Sequence, residues 1–241
     1  MGSGEVWLYH SLKKYLSLFA SLLLIFQAGC SGSGPGIDIT EKKYETDTSL
    51  VEIQMPRFKN FQNEEFAQEL NTEYDNAVED WLGDFSEECE KNSSGVEKCT
   101  FRLTQEIMLD VEPLLSVVGE VNVFTQGVHP SSSRVAKNID TAQSKVLTLP
   151  DLFSDDAYTA VIDREINEIL EKNPEEYHDL WEKPMLSSMH REFFFLSEEG
   201  LVIFFPPYEL SYYARGFVDF CIPYAELSGY LKPEYRFLAD I

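Results

Sequence analysis

Residues 99–125 read CTFRLTQEIMLDVEPLLSVVGEVNVFT, and this stretch decides the fold class. Cys99, Phe101, Leu103, Ile107, Leu109 and Val111 alternate with Thr100, Arg102, Thr104, Glu106 and Asp110. That is the pattern of a half-buried strand with one wet face. Leu114 to Thr125 reads as a second strand, apolar in part on both faces, with Gly119 expected at a bulge. Upstream, Phe66, Leu70, Tyr74, Ala77, Val78, Trp81 and Phe85 recur at helical spacing. Asn63 is placed to cap that helix, and Glu64 and Glu65 suit its positive first turn. The spacing predicts about 22 residues of helix by the 3.6-residue period. From Phe61 to Glu90 there are eleven acidic residues and no Lys or Arg, so the outer helix face is acidic. Before it, Ile37 to Pro56 reads as extended chain.

Downstream, Ser133 to Asp140 and Lys145 to Leu149 read as short extended pieces around a turn. A second helix follows, with Ser154 as expected cap, a stripe of Val161, Ile162, Ile166, Ile169 and Leu170, and a stop at Asn173-Pro174. Phe193 to Leu196 and Leu201 to Phe205 flank a hairpin loop in which Gly200 is expected to supply a positive φ. Phe217 to Ile222 is a last core strand, and Pro223 starts a short helical turn through Glu226. The order predicts an α+β fold of antiparallel sheets, each packed by one amphipathic helix.

The chain has 241 residues, 42 Asp and Glu against 19 Lys and Arg, and a net charge of −23. Aromatics make up 13%, which separates it from acidic disordered chains. The charge argues against nucleic acid as a partner and is compatible with a cationic one. Lys13 and Lys14 precede an apolar run, Leu16 to Ala28, too short to span a bilayer and closed by Gly29 and Cys30. Residues 1–29 read as an export signal, with an uncleaved anchor as the alternative. Ala28-Gly29-Cys30 resembles a bacterial lipobox, which makes Cys30 the expected lipidated N-terminus; Gln27 stands where an aliphatic residue is usual. Residues 30–44 then form a tether that opens with Gly, Ser and Pro. The leader carries a net +1, so the remainder is −24. This predicts an exported protein held at the outer membrane or cell surface by lipid. In such an oxidising compartment, Cys89 and Cys99, ten apart around a polar stretch, fit a local disulfide. It would stabilise by about 2–3 kcal/mol through loop closure. Cys221, in an apolar strand, reads as a core thiol rather than a nucleophile.

Several motifs occur in a fixed order: Val123 to His129, Asn138-Ile139-Asp140, Val146 to Phe153, Phe195 to Phe205, Pro207-Tyr208-Glu209-Leu210, Tyr213-Ala214-Arg215-Gly216-Phe217 and Ile222 to Leu227. Together they resemble the extracellular C-terminal domain of RsiV-type proteins, a domain of unknown function, here over 113–241. Residues 45–112 resemble the non-catalytic N-terminal module of PdaC-type peptidoglycan deacetylases. In RsiV-type proteins the domain pair is the sensor end of a membrane anti-sigma factor and binds lysozyme, a basic protein. The sequence shows no cytoplasmic anti-sigma segment, so the resemblance is expected to reach the sensor end alone. It shows no metal-binding motif of the deacetylase domain, so that chemistry is not carried over. Where the family often has Gly-Gly-Ala-His-Gly, this chain has Gln126-Gly127-Val128-His129-Pro130, matching at Gly127 and His129.

Candidate sites are few. No nucleophile elbow or phosphate loop is present, and His178 and His190 lack neighbours at zinc spacing. No metal or cofactor is expected. The segment Pro206 to Tyr213 is the binding candidate, through Tyr208, Glu209, Tyr212 and Tyr213, because tyrosines give large contact area with a polar tip. His129, in a Gly/Pro/Ser-rich turn, is added to it. The alternative is that the tyrosines pack the hairpin onto its neighbours. The function read from these features is a non-catalytic, envelope-anchored binding lipoprotein whose partner is a cationic protein such as lysozyme. The alternative is binding of cell-wall glycan, peptidoglycan. A hydrolase is a third reading, without a constellation to carry it.

Overall fold

In the computed structural model, which describes residues 36–92, 97–127, 129–186 and 192–241, the chain folds into two sheets and flanking helices. Strands β1 (Gly36–Glu45) and β2 (Ser49–Lys59) form a hairpin, so residues 36–44 of the expected tether are instead a strand held by pairing with β2, and α1 (Glu64–Lys91) follows. Strands β3 (Cys99–Val111), β4 (Leu114–Phe124), β5 (Ser131–Asp140) and β6 (Lys145–Val146) complete a six-stranded sheet in sequence order. Helix α2 (Tyr158–Lys172) leads to the three-stranded sheet of β7 (Phe194–Leu196), β8 (Leu201–Phe205) and β9 (Val218–Ile222). A short α3 (Tyr224–Leu227) and a 3-10 helix (Pro233–Asp240) close the chain.

The fold is α+β as the periodicity predicts, with one correction: β2 and β3 pair in parallel, so the larger sheet is mixed. The cause is α1, which carries the chain back along the sheet before β3 begins. Pairing of β2 with β3 ends at Ile53–Leu103. Beyond it the Gln54 side chain accepts from the Gln105 backbone N–H at 2.9 Å, supplying the bond that the departing strand no longer makes. Pairing of β3 with β4 runs on both sides of residues 112–113.

Helix α1 is 28 residues long, six beyond the periodic stripe. Asn63 caps it, its side chain accepting from the Phe66 N–H at 3.2 Å. Leu70, Tyr74, Val78 and Phe85 pack on one face of the large sheet against Ile53, Phe101, Leu103, Val117 and Val121. The other face meets the small sheet over β4 and β5, where Val118 packs with Phe195, Val202 and Phe204. The far face of the small sheet receives Val161, Ile162 and Ile166 of α2. A buried polar node joins the sheets. Asn138 accepts from Leu196 N at 3.0 Å and from Ser116 Oγ at 2.8 Å, and donates to Phe194 O at 3.1 Å. The edge strand β7 is thus satisfied by side chains of the larger sheet.

Two local expectations change, and a third, the positive φ of Gly200, holds. The irregularity of the β3–β4 pair falls between Ile107 and Leu109, not at Gly119. Gly119 instead leaves room for Gln105, whose Nε2 would lie 2.7 Å from a Cβ there. Ser154 does not cap α2: its N–H donates to Tyr230 O at 2.9 Å, and the helix starts at Tyr158 with Asp155 accepting from the Ala157 N–H. Gly200 is required chiefly by close approach, since a Cβ would sit 2.3 Å from the Ile222 carbonyl oxygen.

Candidate functional site

The connection from β4 to β5, residues 125–130, carries His129. The connection from β8 to β9, residues 206–217, carries the tyrosines. The packing of the two sheets brings these connections together. His129 stacks on Tyr213 with ring centroids 4.2 Å apart and an interplanar angle of 22°. Tyr208 lies beside both, 5.3 Å from the Tyr213 ring, and its hydroxyl is 3.3 Å from His129 Nε2. His129 Nδ1 is 2.8 Å from the Pro130 carbonyl. A carbonyl only accepts, so Nδ1 carries a proton; in that neutral tautomer Nε2 is the acceptor that faces the Tyr208 hydroxyl. Tyr208 is 57% exposed and held at φ 71°, a left-handed conformation rare for a bulky residue.

The remaining predicted residues divide. Glu209 is half-buried and its N–H closes the turn onto Pro206 O at 3.2 Å. Tyr212 is exposed and turns to Asp179, which also pairs with Arg215 and accepts from Ser211 Oγ at 3.2 Å. Desolvation opposes ionisation of Asp179, but Tyr212 and Arg215 hold its carboxyl below the usual range. The bond to Asp179 in turn raises the Tyr212 phenol. The Cys89–Cys99 disulfide is formed. Cys221 is half-buried, and burial followed by the nearby Glu199 pushes its thiol up. His178 Nδ1 donates to Glu175 O at 2.6 Å. Cys30 and His190 lie outside the described residues. Among the described residues no cluster of three His, Cys, Asp or Glu is disposed to hold a metal.

The periodicity reading misses a polar row that runs into the cluster. On the face of the large sheet that meets the small sheet over β4 and β5, Lys43, Glu52, Arg102, Asn122 and Ser132 stand opposite one another across β1 to β5. Lys43 and Arg102 both donate to Glu52, at 2.8 and 2.7 Å. Ser132 donates to Asn122 Oδ1 at 2.6 Å and accepts from the Tyr213 hydroxyl at 3.2 Å. Only strand register aligns these residues, and register is not visible in one strand's pattern. Trp181, 60% exposed, was missed too; its backbone N–H donates to Leu210 O at 2.8 Å beside the tyrosine segment. The site therefore offers stacked rings, hydroxyls that both donate and accept, and an adjoining hydrogen-bonding surface. It is equipped for recognition.

Residues 42–132 match the family model described as "Deacetylase PdaC", and residues 150–225 match "Protein of unknown function (DUF3298)". The anti-sigma-V factor RsiV of Bacillus subtilis (strain 168) is 27% identical over 206 residues, covering 82% of this chain and 71% of that one. A DUF3298 family member from Bacteroides fragilis NCTC 9343 superposes with a TM-score of 0.67 at 17% identity, over 88% of this chain and 100% of that chain. A DUF3298 family protein from Pseudomonas aeruginosa PAO1 gives 0.57 at 18% identity, over 89% and 94%. These two share the fold. The aromatic cluster draws on both matches, with His129 inside the first and Tyr208 and Tyr213 inside the second.

Proposed function

We propose that this RsiV-like chain, a PdaC-type module followed by a DUF3298 domain, acts by binding rather than catalysis at the cell envelope. Its expected tether is the lipid on Cys30, and its partner a cationic protein such as a lysozyme. The observation that carries the reading is the convergence of His129, Tyr208 and Tyr213 at the junction of the two matched regions. Rigid aromatic side chains with polar tips make strong contacts at little entropic cost. The acidic face of α1 supplies long-range attraction for a basic partner. Similarity to RsiV supports an extracellular or membrane-associated setting, and no helix of the described residues is long and apolar enough to cross a membrane.

The test passes a basic lysozyme over the immobilised full chain at low and high salt. Capture at low salt that weakens as salt rises is expected. A failure to capture at low salt would sink the reading. Mass spectrometry of the mature N-terminus checks lipidation of Cys30.

The row from Lys43 to Ser132 favours a second reading, peptidoglycan. Its charges are largely paired with one another, which suits a hydrogen-bonding glycan more than a strongly charged protein. Salt-insensitive binding to purified peptidoglycan would select it.

A further inference from the structure

We infer that the C-terminal end of α1 and the Cys89–Cys99 disulfide are the mount of the aromatic cluster, holding the 125–130 turn so that His129 stands against Tyr213 and Tyr208. The geometry stands by itself; its consequence for a partner rests on the binding reading above. Three hydrogen bonds reach the turn from the disulfide region. Asn92 Nδ2 donates to Thr125 O at 3.0 Å, Thr125 Oγ1 donates to Glu88 Oε2 at 3.1 Å, and Gln126 Nε2 donates to Glu97 O at 2.7 Å. All three anchoring residues sit beside a half-cystine. Glu88 precedes Cys89 by one position, Asn92 follows it by three, and Glu97 precedes Cys99 by two.

These bonds are exposed, and each competes with water. They position the turn only if the groups that make them are themselves fixed. The last turn of a helix frays readily, because its carbonyls lack intrahelical partners. Here the disulfide ties that turn to the first residue of β3, with the two Cα atoms 6.2 Å apart. Strand β3 is in turn paired with β4 as far as Thr100–Phe124, one residue before the turn. Both footings of the turn are therefore locked to each other. Gln126 is held at φ 64°, a conformation a non-glycine residue keeps when its surroundings impose it. On this account the cluster is fully assembled in the oxidised chain, and ligand binding depends on the redox state of the compartment.

The experiment follows the His129 Cε1–H resonance by NMR in the full chain, assigned with His129→Gln. Stacking on Tyr213 displaces this signal from its position in free histidine. The disulfide is then reduced with dithiothreitol, which passes two electrons and two protons to the cystine and becomes its own cyclic disulfide. The signal is expected to move toward the free position, with lysozyme affinity falling about three- to tenfold, the value of one net hydrogen bond. Asn92→Ala, with the disulfide intact, gives a smaller movement in the same direction. An unchanged His129 signal in a reduced chain that keeps its far-ultraviolet circular dichroism overturns the inference. If reduction unfolds the chain, an unchanged signal in Asn92→Ala does so. If the signal moves but the oxidised chain never captures lysozyme, the mount stands and the binding reading fails.

Discussion

Arg134 of the six-stranded sheet reaches across to Asp219 of the three-stranded sheet, Nη1 to Oδ1 at 2.7 Å. The same guanidinium binds Glu120 at 2.7 Å and lies over Phe217, with Cζ 4.2 Å from the ring centroid. Phe204 and Phe195 are the next rings, at 5.1 and 5.8 Å. This side chain is a clasp between the two layers whose packing brings the turn of His129 to the tyrosines.

Arg134→Ala removes the clasp and leaves Asp219 facing Glu120 without a cation. Both carboxylates lie at the margin of the layer contact, partly open to solvent, so the ion pairs contribute modestly, and much of the loss is contact with the three rings. A loss of about 2 kcal/mol is expected in urea unfolding at neutral pH. Desolvation already pushes the Asp219 carboxyl above its usual range, and Arg134 draws it back. A raised folded-state value costs stability above that pH and not below it. The deficit of the variant therefore shrinks toward about pH 4.

Asn138→Leu leaves the buried Phe194 carbonyl without its donor and the Ser116 O–H without its acceptor. The expected cost is about 2–4 kcal/mol, read from the urea midpoint with an unchanged slope. A near-neutral substitution would show that β7 is held by apolar packing alone.

Tyr208→Gly separates binding from folding. Glycine removes the left-handed strain, worth about 1 kcal/mol, and an exposed ring contributes little to the core. Thermal stability is expected to hold or rise while lysozyme capture falls at least about tenfold. A loss of more than about 2 kcal/mol would mean that Tyr208 serves packing.

Asp151 accepts from the Thr148 N–H at 2.8 Å and from its hydroxyl at 2.7 Å, and pairs with Lys145. Burial opposes its ionisation, but Lys145 and Thr148 prevail and lower the carboxyl to about 2. A depressed folded-state value gives stability that is present above the ordinary carboxylate range and lost as the pH falls toward about 2. Asp151→Asn is expected to cost about 1 kcal/mol at neutral pH. Unfolding curves of wild type and variant should converge between about pH 4 and pH 2. Parallel curves over that range would assign the stabilisation to another carboxylate.

Much of the fold was legible in the sequence. The stripe from Phe66 to Phe85 and the cap at Asn63 determined α1, because a helix period reports which face is buried. The ten-residue spacing of Cys89 and Cys99 around a polar stretch marked the disulfide that the structure forms. Periodicity does not name the layer that covers a buried face. The parallel β2–β3 pair, the irregularity after Ile107 and the true start of α2 depend on neighbours remote in sequence. The candidate site follows the same division. The sequence grouped Tyr208, Tyr213 and His129 as one binding candidate, on two loops, without showing how the side chains meet. Their meeting across 79 residues, like the 85-residue reach of Arg134 to Asp219, was decided only when two sheets packed face to face. That packing is set by complementary volume and buried hydrogen bonds, which no local pattern encodes.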